Sequence, residues 1–372
     1  MDLSYWEIKH WLKGVDYTVV GSGITGLNCA LKLRENNPHA HILVLEKGVL
    51  PQGASTKNAG FACFGSLSEL LDDLKNQPEE AVVSLVKKRI EGLEVLKKRV
   101  GTRAMDFRMY GGHEVFPEED EAFFEECHSR MHSVNQLLRP LLGETVFTVK
   151  PNTFKLAKVH PYYISNSLEG QIDTGKMMRE LLYKASTARI PVLNATRVKA
   201  FSDNVGGVHI ETDHFTFKTR KLCIATNGFA SHLGIAKVAP ARAQVLITKP
   251  VKKLPIQGTF HMDRGFYYFR DIDGCVLLGG GRNLDMDTEN TDVFGQTPLI
   301  QNKLKELLSR VILPDTPFEI AQQWSGIMGV GSEKTPIVKQ LSEHVFCGVR
   351  LGGMGVAIGS LVGEELATLA MQ

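Results

Sequence analysis

The stretch YTVVGSGITGLNCALKL, Tyr17 to Leu33, constrains this chain more than any other. Tyr17-Thr18-Val19-Val20 is a short β-branched and aromatic run that reads as a buried strand. Gly21, Ser22, Gly23 and Gly26 then fit G-x-G-x-x-G, and Ile24, Leu27 and Leu31 recur at helical spacing, so a helix opens inside the motif. A turn without side chains lets backbone approach a pyrophosphate, and the helix N-terminus offers free N–H groups and partial positive charge. A second apolar strand, Ile42 to Leu45, ends in Glu46, twenty residues beyond Gly26. A carboxylate there accepts from ribose hydroxyls and repels a 2′-phosphate, which points to a dinucleotide other than NADP.

The 372 residues exceed what a single small core organises, so two domains are expected. Lys plus Arg total 43 against 41 Asp plus Glu, with no basic block or aromatic–basic stripe, which argues against nucleic acid as a partner. Cys29, Cys63, Cys127, Cys223, Cys275 and Cys347 are scattered without a C-x-x-C pair, a pattern that fits reduced thiols and a cytoplasmic location. No apolar run reaches the ~18 residues of a membrane span, and no signal peptide is evident. The aromatic start, MDLSYWEIKHWLKG, is mildly amphipathic; it reads as a short helix folded onto its own domain, with contact to a membrane surface as the alternative.

After Glu46 comes KGVLPQGASTKNAGFACFGS, too rich in small residues for a packed element and suited to close approach to a flat ligand, with Ser55, Thr56 and Asn58 as hydrogen-bonding groups. Residues 79–100 and 120–141 read as helices. His128 and His132 stand four apart on the second, but no third ligand is near, so they read as a solvated face and no metal is expected. A capped helix follows Asp173 or Thr174, and a buried strand at 222–225 runs into Thr226-Asn227-Gly228. From about 240, strands at short spacing (RAQVLIT, GTFHM, FYYFR, CVLLGGG) indicate an antiparallel sheet and a second domain, with a turn at Asp271 to Gly274. The C-terminal GVRLGGMGVAIGSLVGEELATLAM is a second glycine loop feeding a helix.

In order and spacing, VVGSGITGL, VLEKG, GASTKNAGF, CIATNG, YYFRDIDGCVLLGGG, WSGIMG and GGMGVAIGS resemble the D-amino acid oxidase family of FAD-dependent oxidoreductases, which includes glycine oxidase, sarcosine oxidase and D-amino acid dehydrogenases. The resemblance implies an α/β (α+β overall) fold: a Rossmann-like, glutathione-reductase-type FAD domain from residues 1–80, 150–235 and 322–372, and a substrate domain on an antiparallel sheet from 81–149 and 236–321. It implies that Gly21, Ser22, Gly23, Ile24, Thr25, Gly26, Glu46 and Lys47 hold the ADP half of FAD. Ser55, Thr56, Asn58, Ala59, Gly60 and Phe61 would line the pyrophosphate and flavin side. Val198 would meet the adenine, Ala225, Thr226, Asn227 and Gly228 the ribose, and Gly326, Gly352, Gly353, Met354, Gly355 and Val356 the flavin ring.

By the same resemblance the enzyme oxidises the C–N bond of an amino acid or amine, with dioxygen or another acceptor taking the electrons. Arg270 is the first candidate cation for a substrate carboxylate, with Arg282 and Arg350 as rivals, and Tyr268 rather than Tyr267 is expected to face the pocket. No cysteine stands near Ile327 or Met328, where sarcosine oxidases attach flavin, so FAD is expected to be non-covalent. Leu277 stands where those enzymes carry an oxygen-activating lysine, which tilts the expectation toward a dehydrogenase. Oxidation of a 2-hydroxy acid is the rival chemistry, and a non-catalytic flavoprotein or assembly factor the rival class.

Overall fold

The computed structural model describes residues 2–372. The glycine motif sits in the first of two eight-stranded sheets. Strand Val15–Val20 lies at its centre, with parallel neighbours Ile42–Leu45 on one side and Thr216–Ile224 on the other. Val192–Leu193 extends one edge, and Val345–Val349 with Ile337–Ser342 the other. Parallel strands buried on both faces need continuous apolar sequence, and Ile42–Leu45 is buried at every position. Helices Ile24–Asn36, Thr174–Thr187 and Gly355–Met371 cover one face through Leu27, Leu181 and Leu366. On the other face, Gly207–Thr212, antiparallel to the outer part of Thr216–Ile224 and paired in turn with Val198–Asn204, sets Val208 and Ile210 beside Phe217.

The second sheet runs in the order Ile320–Val330, Ala239–Thr248, Cys275–Gly280, Tyr267–Ile272, Thr259–Met262, Gly112–Val115, Tyr162–Asn166 and Phe147–Pro151. All its pairs are antiparallel except Thr259–Met262 with Gly112–Val115. The helix Pro298–Leu307 packs on it around Phe260, Phe269 and Leu278.

The boundaries expected at 150 and 322 do not follow the sheets. Phe147–Pro151, Tyr162–Asn166 and Ile320–Val330 all pair within the second sheet. The helix Glu79–Val100, expected in the second domain, packs on the C-terminal helix of the first, where a Cβ on Gly92 would meet the Ala357 carbonyl at 2.2 Å. A close helix crossing of this kind needs one bare position, and sequence periodicity cannot say which helix fills the groove. The N-terminal turns Tyr5–Glu7 and Ile8–Leu12 dock through Leu3 and Leu12, while Tyr5, Trp6, Ile8 and Trp11 face outward, Trp6 at 62% exposure. Met1 is outside the described residues. No helix among the described residues is long and apolar enough to cross a membrane.

Candidate active site

The C-terminal ends of the parallel strands and one face of the second sheet enclose a cavity of about 400 Å³. Ligands bind at this end of α/β sheets because loops and helix N-termini converge there.

Its first half is mostly backbone. Gly21 has φ +105°, and a Cβ there would lie 2.8 Å from the Ala225 carbonyl, so only glycine lets the two strand ends close. Gly23, Ile24 and Thr25 follow along the wall. The Ser55 hydroxyl accepts the Ile24 N–H at 2.9 Å, which places a polar side chain at the helix N-terminus. The loop is stitched by Asn58, which accepts from the Gly60 N–H and the Thr174 hydroxyl, both at 2.9 Å. Opposite, Gly352, Gly353, Met354, Gly355 and Val356 line the cavity as the last helix begins. The Asn227 Oδ1 accepts the Arg350 and Leu351 N–H groups at 3.1 Å each, tying the strand-end loop to the C-terminal glycine loop.

The buried Glu46 carboxylate lines this half and accepts from the Ser22 hydroxyl at 2.8 Å and the Gly48 N–H at 2.9 Å. Lys47 lies 3.1 Å over the Phe229 ring; burial lowers its pKa, with Glu46 opposing. Ala59, Val198, Thr226, Gly228 and Gly326 also line the wall, and the buried Thr226 hydroxyl has no partner. Three expected residues do not reach the cavity. Ser22 turns onto Glu46, and Gly26 packs against the Gly21 carbonyl, where a Cβ would lie at 1.8 Å. Thr56 turns its hydroxyl back to the Pro51 carbonyl at 2.7 Å. They shape the cradle without lining it.

The second half is built of side chains. His261 and Tyr268 are register partners on adjacent strands and therefore share a face. The Phe61 ring meets both edge-on, at 5.3 and 5.7 Å between centroids. Burial pushes the Tyr268 phenol up to about 12, so it stays a neutral donor. Tyr267 faces the apolar core. His261 Nε2 lies 2.6 Å from the fully buried Glu169, whose other oxygen has no partner. Burial alone would lower the imidazole's pKa, but Glu169, with Glu69 and Glu114, outweighs it and raises it to about 9. Cys63 and Glu69 complete this wall. Among the described residues, the metal-capable atoms that cluster belong to Cys63, Glu169 and His261, not to His128 and His132. Burial raises the Cys63 thiol's pKa well above its ordinary value.

The three candidate arginines separate sharply. Arg282, just after Gly280 and Gly281, lines the cavity; its guanidinium donates to Asn290, and its buried Nε has no partner. Burial lowers its pKa, with Glu289 opposing. Arg270 does not line it. Two residues along the strand from Tyr268, it is 2% exposed, and its Nη1 donates to the carbonyls of Gly60 at 3.0 Å and Ile172 at 2.7 Å. Burial pulls its pKa down to about 10. It opens onto a separate small cleft with Asp106, Asp173 and Asp271. Arg350 is committed to the Thr335 carbonyl at 2.9 Å and to Glu333 at 2.8 Å. Leu277 pairs with Arg270 and does not line the cavity. Sequence reading missed His261, Glu69 and Glu169; the one available signal was the alternation that places His261 opposite Tyr268.

The cradle fits an FAD-sized dinucleotide on its own geometry: bare glycines where a Cβ would collide, an unpartnered Thr226 hydroxyl, and two helix N-termini at one cavity. The family profile described as FAD dependent oxidoreductase matches residues 16–369. The chain belongs to that family. None of the curated proteins compared matches it. Among solved structures, this FAD dependent oxidoreductase is similar to glycine oxidase from Geobacillus kaustophilus, at 19% identity and TM-score 0.74, covering 96% of this chain and 94% of that one. It is similar to glycine oxidase from Bacillus cereus at 13% identity and TM-score 0.76, covering 96% and 97%. L-proline dehydrogenase from P. horikoshii gives 18% identity and TM-score 0.75, covering 96% and 93%. The fold is therefore that of FAD-dependent amine and amino acid oxidoreductases, and FAD is the cofactor.

Proposed function

We propose that this enzyme oxidises the C–N bond of an amino acid or amine, with Arg282 and Tyr268 receiving the substrate carboxylate. The observation that carries it is the position of Arg282: of the three candidate arginines it alone lines the cavity, while a buried, unpartnered Nε is common to Arg282 and Arg270. A guanidinium fork matches a carboxylate in two contacts, and the neutral Tyr268 hydroxyl adds a donor. Phe61 and Tyr268 exclude water, which favours the neutral amine over the ammonium. FAD, when bound along the glycine half, supplies the hydride acceptor. The substrate loses the Cα hydrogen as hydride, the nitrogen lone pair closes the C=N bond with loss of the N–H proton, and water converts the imine to a carbonyl and ammonia. Ile327 and Met328 line the cavity without a cysteine beside them, which supports non-covalent FAD, and the six free thiols suit a cytoplasmic protein.

Anaerobic titration of the yellow holoenzyme with amino acids, amines and 2-hydroxy acids is the test. Bleaching by an amino acid or amine, with ammonia in the product, is expected. Bleaching by 2-hydroxy acids alone would replace this reading with the rival chemistry.

A further inference from the structure

We propose that Glu69 selects substrates carrying a second, non-reacting cationic group, so that the substrate class is amino acids with an ammonium or guanidinium side chain. This rests on the reading of the cavity as a site of C–N oxidation and names its substrate.

The substrate half of the cavity is two-signed. Arg282 provides one cation and the imidazole of His261 another. On the His261 side, three carboxylates, Glu69, Glu114 and Glu169, surround a single imidazole. Glu169 lies outside the cavity lining, its Oε1 taken by that imidazole at 2.6 Å and by the Thr259 hydroxyl at 2.7 Å. Glu114 accepts from the Ser66 hydroxyl at 3.1 Å and the Ser68 N–H at 3.0 Å, and burial raises its pKa. Nearby Arg89 donates to the Phe64 carbonyl at 2.7 Å.

Glu69 differs from the other two. It lines the cavity, its side chain is 27% exposed, and its nearest cation is His261 Nδ1 at 4.0 Å. Its Oε2 accepts the Ser66 N–H at 2.9 Å in a capping box on the helix Leu67–Asn76. Its Oε1 has no donor among the described residues and lies beside Gly265, where a Cβ would come within 2.9 Å. A carboxylate oxygen therefore stands free in the same chamber as the arginine.

The reacting nitrogen cannot be what it serves. That nitrogen must be neutral for its lone pair to form the C=N bond as Cα gives up hydride, and a carboxylate in contact would raise its pKa and hold it charged. Arg282 accounts for the substrate carboxylate. The group left for Glu69 is a cation that takes no part in the chemistry.

The test compares lysine with its uncharged analogue norleucine, both enantiomers of each, by flavin reduction in the wild-type holoenzyme and in Glu69→Gln. Glutamine at this position preserves the capping box, so the change removes charge without removing the helix start. A charge-assisted contact predicts at least about a tenfold kcat/KM preference for lysine in wild type. In Glu69→Gln the lysine value falls by that factor, while norleucine stays within about twofold, as expected for a substrate that never used the charge. Equal turnover of both substrates by wild type, or equal loss of both in the variant, overturns the role of Glu69 while leaving amine oxidation standing. Failure of every amino acid and amine to bleach the flavin overturns both. Where Glu69→Gln fails to fold, equal turnover of both substrates by wild type still overturns the proposal, and Glu69→Ala assayed the same way supplies the selective loss of lysine turnover that supports it.

Discussion

The two halves of the cavity are built by different means. The nucleotide half comes from chain segments that are each nearly continuous in sequence: strand, glycines, helix start, and again loop, glycines, helix start. Its chemistry is backbone N–H groups and the absence of Cβ atoms. The substrate half is assembled from side chains that meet only across strands and helices: Phe61, Glu69, Glu169, His261, Tyr268 and Arg282. A backbone site tolerates variation in side chains but not in conformation. A side-chain site is the reverse, and small changes in it redirect specificity without touching the cofactor.

The largest break in this contrast is at Gly60, where the two halves touch. Gly60 has φ +76°, and a Cβ there would meet the Ile172 carbonyl at 2.4 Å and Arg270 Nη1 at 2.7 Å. Left-handed strain and the clash together cost on the order of 3 kcal/mol, so Gly60→Val should weaken FAD binding about a hundredfold. Its melting temperature should fall and be partly restored by excess FAD. An unchanged FAD Kd would remove this loop from the cofactor site.

The arginines sharpen the contrast further. Arg282→Leu should retain a normal flavin spectrum and lower kcat/KM for carboxylate substrates at least about tenfold, the loss of a charge-assisted pair of ~1.5–3 kcal/mol. Plain amines should be nearly indifferent. Arg270→Leu should behave oppositely, because Arg270 braces the Gly60 and Ile172 carbonyls. FAD retention should drop, and carboxylate and plain-amine substrates should lose alike. If Arg270→Leu instead selectively spares plain amines, Arg270 reaches the substrate and Arg282 does not.

The smallest effect is in pH. His261 is held near pKa 9 in the folded protein against 6.5 ordinarily. A raised folded-state pKa gives stability that is complete below about 6.5 and lost as pH rises through about 9. Thermal unfolding should show wild type losing stability over that window, while His261→Gln starts lower and changes less. Parallel curves would mean that His261 is not charged against Glu169.

Legibility followed the same division. The G-x-G-x-x-G turn, the Ile42–Leu45 strand with Glu46, and the helix at 79–100 were readable because each is set by local spacing. The helix Leu67–Asn76 was not, because the small-residue run before it masked its capping box. The strand Tyr162–Asn166 was missed because one partner, Gly112–Val115, is distant in sequence, and the edge strand Phe147–Pro151 pairs only with Tyr162–Asn166. Arg270 reads from sequence as a cavity residue because it stands beside Tyr268 on the same strand face, and only the third dimension shows that the cavity lining ends between them.

The sequence by itself determined the cofactor cradle: glycines at fixed intervals permit one backbone path, and that path recognises a dinucleotide whatever surrounds it. Only the tertiary structure decided which side chains line the other half of the cavity. Strand register carries His261 to Tyr268, the Gly60 loop captures Arg270, and the turn after Gly281 delivers Arg282 to the cavity. These positions arise from long-range pairing and packing, and no local pattern encodes them.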